Sequence, residues 1–400
     1  MRILAIETSC DETALSLLEA KGGLTAPSFK ILKHAVSSQV KIHAPFGGVV
    51  PSLAKREHQK NLPLLFSRVM GSAKKVKVQM EKVDLIAVTV GPGLEPALWT
   101  GIVFAQELAK TYHKPLLGAN HLEGHLFSFL LGTRNRESTA EKEKSKRRSS
   151  QLGTARQLLA ALFPAVALIV SGGHTIILRV DSLSKWKRLG ETRDDAAGEA
   201  YDKVARMLDL PYPGGPNMEK LASRGNPNAI AFPRPMIHEK NFDFSFSGLK
   251  TAVLYHLRSQ WPVLRQVQGE ATSLLANTER GDQKNTKSER LATGHYSLDT
   301  AAKADVAASF QAAVVDVLTH KVTKAAQSFG AKSILLSGGV AANKQLRKRL
   351  RTKSQKLGIP FLAPPMKFNG DNASMVAVAA YLQYLRNKKL PIKANGQLEI

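Results

Sequence analysis

Apolar residues in this chain fall in short runs broken by polar, glycine-containing turns, and the runs alternate between strand and helix lengths. Residues 2–7 form one apolar run. The polar turn Thr8-Ser9-Cys10-Asp11-Glu12-Thr13 follows, and 14–18 read as a second strand, which together make a hairpin. A related unit recurs as strand 165–170, turn Ser171-Gly172-Gly173-His174-Thr175 and strand 176–180. A third apolar run, 333–336, leads into Ser337-Gly338-Gly339-Val340 and a helix-like segment from Ala341. These units repeat in architecture rather than in sequence, and they predict two related lobes. Between them, 49–70 has helical spacing, 83–90 is a buried strand ending at Gly91-Pro92-Gly93, and 101–110 is a helix. Residues 374–386 are apolar at helical spacing, as in a helix packed on a lobe. Strands and helices alternating at these lengths predict an α/β fold.

Two stretches depart from the pattern. Residues 134–157 are polar, basic and Ser-rich, and 267–299 are rich in Gly, Thr, Asn and Lys, a longer excursion than a compact fold needs. The expected division is an N-terminal lobe over 1–130, a basic loop insertion over 131–157, a second lobe over 158–370 with the polar insertion 267–299, and a C-terminal helix over 371–400 packing back on the lobes. At 400 residues the chain exceeds one ordinary domain, in keeping with two lobes. Its longest apolar stretch, 158–170, is 13 residues interrupted by Pro164, too short to span a bilayer. The N-terminal run has neither an apolar h-region nor an Arg/Ser-rich presequence. A single cysteine, Cys10, leaves no disulfide scaffold and no Cys-rich zinc site. The expectation is a cytoplasmic protein without membrane attachment.

Charge changes the picture more than composition does. Lys and Arg number 57 against 32 Asp and Glu, a net +25 that favours polyanionic partners, nucleic acid above all. The excess is uneven. Residues 331–370 hold nine Lys/Arg and no acid, seven of the nine within 344–356, and residues 134–156 hold eight basic and three acidic positions. Aromatic residues are only 6%, so phosphate contacts rather than base stacking would dominate.

Three motifs carry chemistry. In Asn120-His121-Leu122-Glu123-Gly124-His125, a helix would put His121 and His125 at i and i+4 on one face, a spacing that suits two ligands of one divalent ion. Leu122 stands where a zinc peptidase needs the Glu that serves as its base. By residue type, the best third ligand is Asp371, in Asn369-Gly370-Asp371-Asn372 just ahead of a helix. Two His and one carboxylate leave open positions, as a catalytic Fe(II) or Zn(II) site requires. The second motif is the pair of Gly-rich turns at 171–175 and 337–343, whose backbone N–H groups can approach phosphate oxygens; neither is followed by Gly-Lys-Ser/Thr. The third is Asp194-Asp195 through Arg206, followed by Tyr212-Pro213-Gly214-Gly215-Pro216. Its four carboxylates are expected to open a helix, where the dipole favours them. Asp202 lies late enough to accept hydrogen bonds from ribose or substrate hydroxyls.

With Ile6-Glu7-Thr8-Ser9-Cys10-Asp11-Glu12-Thr13, Gly47-Gly48-Val49-Val50-Pro51 and Phe244-Ser245-Phe246-Ser247-Gly248-Leu249-Lys250-Thr251 added, the motifs occur in the order of the TsaD family, from residue 3 to about 386. The chain resembles these tRNA N6-adenosine threonylcarbamoyltransferases, once labelled O-sialoglycoprotein endopeptidases. The resemblance implies an actin/Hsp70/sugar-kinase-like (ASKHA) fold of two related lobes around a nucleotide-binding cleft. It implies transfer of a threonylcarbamoyl group from threonylcarbamoyl-AMP to N6 of the adenosine 3′ of the anticodon (A37), in tRNAs reading codons that begin with A, with release of AMP. His121, His125 and Asp371 would hold one divalent metal, Fe(II) or Zn(II), acting as a Lewis acid. Ile169, Val170, Ser171, Gly172, Gly173, Asp202, Gly215, Glu219 and Asn343 stand at adenylate-binding positions. No side chain is assigned as general base. The expected partners are tRNA, threonylcarbamoyl-AMP, and either accessory proteins of the pathway (TsaB- and TsaE-like in bacteria) or a second copy of the chain. A metallopeptidase and a non-catalytic nucleotide-binding scaffold are the competing readings. Ser52, where the family carries Glu, and Glu95-Pro96, where small residues are usual, bear on accessory-protein contacts rather than on metal or adenylate positions. The basic segment 344–356, leaving the second Gly-rich turn, is expected to touch tRNA phosphates through two or three of Arg347, Lys348, Arg349, Arg351 and Lys353.

Overall fold

The computed structural model describes residues 1–132, 156–259 and 299–400, so the two expected insertions, 131–157 and 267–299, fall outside the described residues except at 131–132, 156–157 and 299. The described chain forms two five-stranded mixed sheets. The first holds β1 (Arg2–Glu7), β2 (Glu12–Lys21), β3 (Ser28–Ser38), β4 (Leu85–Gly91) and β5 (Leu116–Asn120) in the order β3-β2-β1-β4-β5. The second holds β6 (Ala165–Val170), β7 (Thr175–Ser182), β8 (Lys185–Glu191), β9 (Ser333–Ser337) and β10 (Phe361–Leu362) in the order β10-β9-β6-β7-β8. Read from the hairpin outward, these are the same sheet twice. β1 and β6 each pair antiparallel with the next strand and parallel with β4 or β9, and β2–β3 and β7–β8 are both antiparallel.

Strand alternation sets the layers. On β1, Ile3 and Ala5 join one core while Leu4 and Ile6 join another. On β6, Ala165, Ala167 and Ile169 join that same first core, and Val166, Leu168 and Val170 face the opposite way. The shared core therefore lies between the sheets. It encloses two helices, His121–Phe127 and Ala373–Leu385, that touch closely: a Cβ at Gly124 would lie 3.1 Å from Met375. Helices Pro51–Met70 and Glu95–Tyr112 cover the outer face of the first sheet, and Ala197–Met207, Gly214–Ala222, Ser247–Ser259, Thr300–Ser328 and Lys344–Lys356 build the outer layer of the second.

Most elements expected from the pattern are present, with shifted ends. The first long helix starts at Pro51, and the next at Glu95 with Pro96 in its first turn, where proline lacks nothing the helix needs. Strands β3 and β8 escaped the pattern because both are half exposed and polar. The 29-residue helix Thr300–Ser328 escaped because alanine fills its buried positions and no narrow apolar stripe marks it.

Candidate functional site

The helix carrying the two histidines begins where β5 ends. Asn120 caps it, its side-chain oxygen accepting the N–H of Glu123 at 3.0 Å. Asp371 comes from across the central layer, one residue before Asn372, which caps the Ala373–Leu385 helix through the N–H of Met375 at 3.0 Å. Asp371 Oδ1 lies 3.1 Å from His125 Nε2 and 3.5 Å from His121 Nε2, and one ligand atom from each of the three residues falls within 4.8 Å of the others. Ligand atoms around a tetrahedral ion with bonds of about 2.0–2.2 Å stand about 3.3–3.6 Å apart. The two contacts of Asp371 lie at or just below that spacing, the set as a whole is wider, and the three residues can hold a small divalent cation once the ligand atoms draw together around it.

What orients the ligands lies behind them. Glu7, the last residue of β1, is fully buried. Its Oε1 accepts the N–H of Ser9 at 2.5 Å, and its Oε2 accepts the Thr89 hydroxyl at 2.7 Å and faces His121 Nδ1 at 3.1 Å. A carboxylate only accepts, so the proton of a neutral His121 sits on Nδ1 and the Nε2 lone pair faces Asp371. Burial would lower the pKa of His121, but Asp371 and Glu7 outweigh it and raise it to about 9. Burial would likewise raise both carboxyls, yet the His121 charge holds Glu7 and Asp371 below the ordinary range. His125 differs, since its Nδ1 is buried with no partner among the described residues. His174, from the turn after β6, is pushed down to about 4 by burial and by the two ligand imidazoles, so it stands beside the centre as a neutral ring. Glu12 is raised well above its ordinary value by burial and by neighbouring Asp371 and Asp11.

The expected adenylate positions lie on linked segments: the end of β6 and the turn after it, the helices Ala197–Met207 and Gly214–Ala222, and the start of the Lys344–Lys356 helix. Ile169 and Val170 are wholly buried, so only their backbone can meet a ligand. The turn beyond them is open, for a Cβ at Gly172 or Gly173 would find no atom within 4 Å, and the same holds at Gly215 and Gly339. Gly338, at φ +93°, is required by packing, because a Cβ there would lie 2.3 Å from the Val170 carbonyl oxygen. That contact sets the two Gly-rich turns side by side. The Ser171 carbonyl accepts the N–H of Gly198, which ties the first turn to the helix bearing Asp202. Asp202 accepts the Gly214 N–H at 2.7 Å and is raised by burial. Glu219 Oε1 accepts the N–H of Lys344 at 2.6 Å, and Asn343 caps the Lys344–Lys356 helix while its Nδ2 donates to Gln311 at 2.7 Å. Glu219, Gln311, Lys344 and Pro216 border a cavity of about 540 Å³, a size common for small-molecule sites.

One expectation is corrected by the structure. The four carboxylates at 194–202 do not open one helix. Ala197–Met207 begins after Asp194 and Asp195, and of the four only Glu199 sits in its first turn. Asp194 instead accepts from Ser245, Ser247 and the Phe246 N–H, and Asp195 binds Lys203 and Lys250. Arg347, one of the five basic residues of which two or three are expected at tRNA, is half-buried. Its guanidinium donates to the carbonyls of Ala341 (2.5 Å) and Pro364 (3.0 Å) and to Asn369 Oδ1 (2.7 Å), bracing the loop that carries Asp371. Sequence reasoning did not single out Glu7, His174 or Gln311 for the site. A charge ending an apolar strand and a histidine in a Gly-Gly turn were the available signals for the first two; Gln311, inside an Ala-rich helix, gave none.

Two sheets of the same strand order, packed on a shared core with the His121, His125 and Asp371 cluster between them, define an ASKHA-type α/β protein. The crystal structure of HypF from T. kodakarensis is similar at TM-score 0.52 and 15% identity over 96% of this chain; the chain spans about half, 48%, of that protein, and the likeness speaks for the fold alone. The family profile described as TsaD, tRNA N6-adenosine threonylcarbamoyltransferase, matches residues 30–138 and 151–378. Curated proteins of that name from Thermosipho melanesiensis and Moorella thermoacetica are each 41% identical to the chain, the first over all of both chains and the second over 98% of this one and 95% of its own. The chain belongs to the TsaD family.

Proposed function

We propose that the chain forms threonylcarbamoyladenosine in tRNA, taking the acyl group from threonylcarbamoyl-AMP and placing it on N6 of A37. The new C–N bond forms as the carbonyl–oxygen bond to phosphate breaks; AMP leaves with the bonding pair and N6 gives up a proton. The observation that carries this reading is end-to-end similarity to transferases of that name, on a chain whose His121, His125 and Asp371 converge in the cleft. These three would hold one Fe(II) or Zn(II), and a bound ion there would supply Lewis-acid polarisation of the acyl donor. Glu7 keeps His121 turned toward the cleft. The open Gly172-Gly173 backbone receives phosphate oxygens, and Asp202, Gly215, Glu219 and Asn343 receive the nucleoside. A cytoplasmic setting is in keeping with a tRNA substrate. No helix among the described residues is long and apolar enough to cross a membrane.

A protein partner, accessory or a second copy, is supported by Leu64, Trp99 and Val103, exposed on the two neighbouring outer helices of the first lobe. A metallopeptidase is disfavoured by Glu123. This is the acid standing between the two histidines, and its buried carboxylate is paired with Arg386 and Lys388 rather than poised over the centre. The deciding experiment incubates the purified chain, with its bacterial-type accessory proteins, with threonylcarbamoyl-AMP and unmodified tRNA, followed by mass spectrometry of the nucleosides. Threonylcarbamoyladenosine at A37 is expected, and its absence together with cleavage of a protein substrate would overturn the reading.

A further inference from the structure

Away from the cleft, the second lobe carries a groove of about 790 Å³ between the Thr300–Ser328 helix, the Lys344–Lys356 helix and the loop at 234–238. Arg234, His238, His320, Lys324, Arg349 and Lys353 all border it, against one acid, Asp316. That acid is fully committed: Oδ2 accepts from Arg234 at 2.9 and 3.2 Å, and Oδ1 is held by Arg349. Four permanent cations less one carboxylate leave three positive charges in a single concavity. Lys324 donates to the Glu239 carbonyl, and beneath it the buried Lys321 ammonium donates to the Asn241 carbonyl, so neither meets an acid there. Crowding is felt at His320, whose pKa is lowered by burial and then by Lys324, His238, Lys321 and Lys353. Like charges gathered this way await an anion.

We propose that this groove seats the phosphate backbone of the tRNA, at a distance from the reacting adenosine; the inference rests on the transferase reading above. An acidic protein partner fits less well, since Ile237 is the one apolar residue among those lining the groove and a protein interface is anchored by buried apolar or aromatic side chains. Position also favours the substrate. The Lys344–Lys356 helix starts at Asn343, against the cleft, and Lys353 lies ten residues further on, about 15 Å along the helix axis. An RNA presenting one base to the cleft can therefore lay neighbouring phosphates along the groove.

The test uses the full-length chain carrying Lys324→Ala with Lys353→Ala, and a second form with Lys324→Arg and Lys353→Arg. Binding of unmodified tRNA is measured against salt, with adenine-nucleotide affinity in parallel. The alanine pair is expected to raise the tRNA Kd about tenfold or more at about 0.1 M salt and to flatten the log–log salt slope by about 1.4–1.8, since each lost phosphate contact removes about 0.7–0.9. Nucleotide affinity should stay unchanged, and the arginine pair should bind like the parent. A parental slope and Kd in the alanine pair overturn the proposal and leave a solvated or protein-binding groove. So does an arginine pair as weak as the alanine pair, because charge would then not be what the groove contributes. A parent that binds no tRNA even with the accessory proteins present overturns the groove and the transferase reading together.

Discussion

At the scale of single residues, the centre depends on what stands behind its ligands. Glu7 touches His121 Nδ1, and it fixes which imidazole nitrogen faces Asp371. Loss of such a partner commonly costs about 10–100-fold in metal affinity. Glu7→Ala should therefore bind Zn(II) about that much more weakly in a chelator competition, with Glu7→Gln intermediate because it keeps an acceptor. Equal affinities in all three proteins would show that His121 orients itself. Gly173 tests the other half of the site. With no atom within 4 Å of its would-be Cβ, Gly173→Val should fold with a near-parental melting temperature yet bind adenine nucleotide more weakly. If calorimetry finds unchanged nucleotide affinity, the turn does not meet the phosphates. Asp202 is a poorer probe of the ligand, since its carboxylate already accepts the Gly214 N–H and its loss would disturb the start of the next helix.

Among elements, the Lys344–Lys356 helix shows how one sequence run divides between jobs. Its basic residues follow one another too closely to share a face. Arg347 turns inward to Ala341, Pro364 and Asn369, Arg349 pairs with Asp316, and Lys348, Arg351 and Lys353 stay exposed. Arg347→Ala removes donors from carbonyl and amide oxygens that it half buries, at a cost of about 1–3 kcal/mol. It should also loosen the loop bearing Asp371. The expected outcome is a lower melting temperature and weaker metal binding with an unaltered salt slope for tRNA. A flattened slope with intact metal affinity would return Arg347 to the RNA surface.

For the molecule as a whole, pH should act on stability from both sides. His58 is fully buried, with Nε2 donating to the Cys10 carbonyl at 2.9 Å and Nδ1 facing the Thr13 hydroxyl at 2.8 Å and Gln39 Nε2 at 3.2 Å. Burial lowers its pKa, and it lowers those of His34 and His43 as well. Groups depressed in the folded state leave the unfolded chain binding more protons below about pH 6.5, so stability falls as the solution is acidified through that value. His121 works in the opposite sense. Raised to about 9, its contribution in the metal-free chain is complete below about pH 6.5 and disappears as pH climbs toward 9. Urea unfolding of the metal-free chain should therefore show greatest stability near neutrality, and His58→Gln should soften the acid limb alone. An acid limb of parental steepness in that variant would remove His58 from the account.

The sequence by itself determined the strands at 2–7, 165–170 and 333–336, the turns that follow them, and the helical pairing of His121 with His125, because periodicity and glycine are local properties. It also pointed to two lobes, since the hairpin-and-turn unit at 2–18 recurs at 165–180. Tertiary structure alone decided the rest. That the two sheets share one strand order follows from pairing half-exposed, polar strands such as β3 and β8, whose apolar signal is too thin to read along the chain. The tautomer of His121 was settled by Glu7, which lies 114 residues away in sequence, and the fate of Arg347 by Pro364 and Asn369. A charged side chain carries no mark of its partner in its own neighbourhood; burial and the need to satisfy each buried donor and acceptor choose that partner only once the chain has closed on itself.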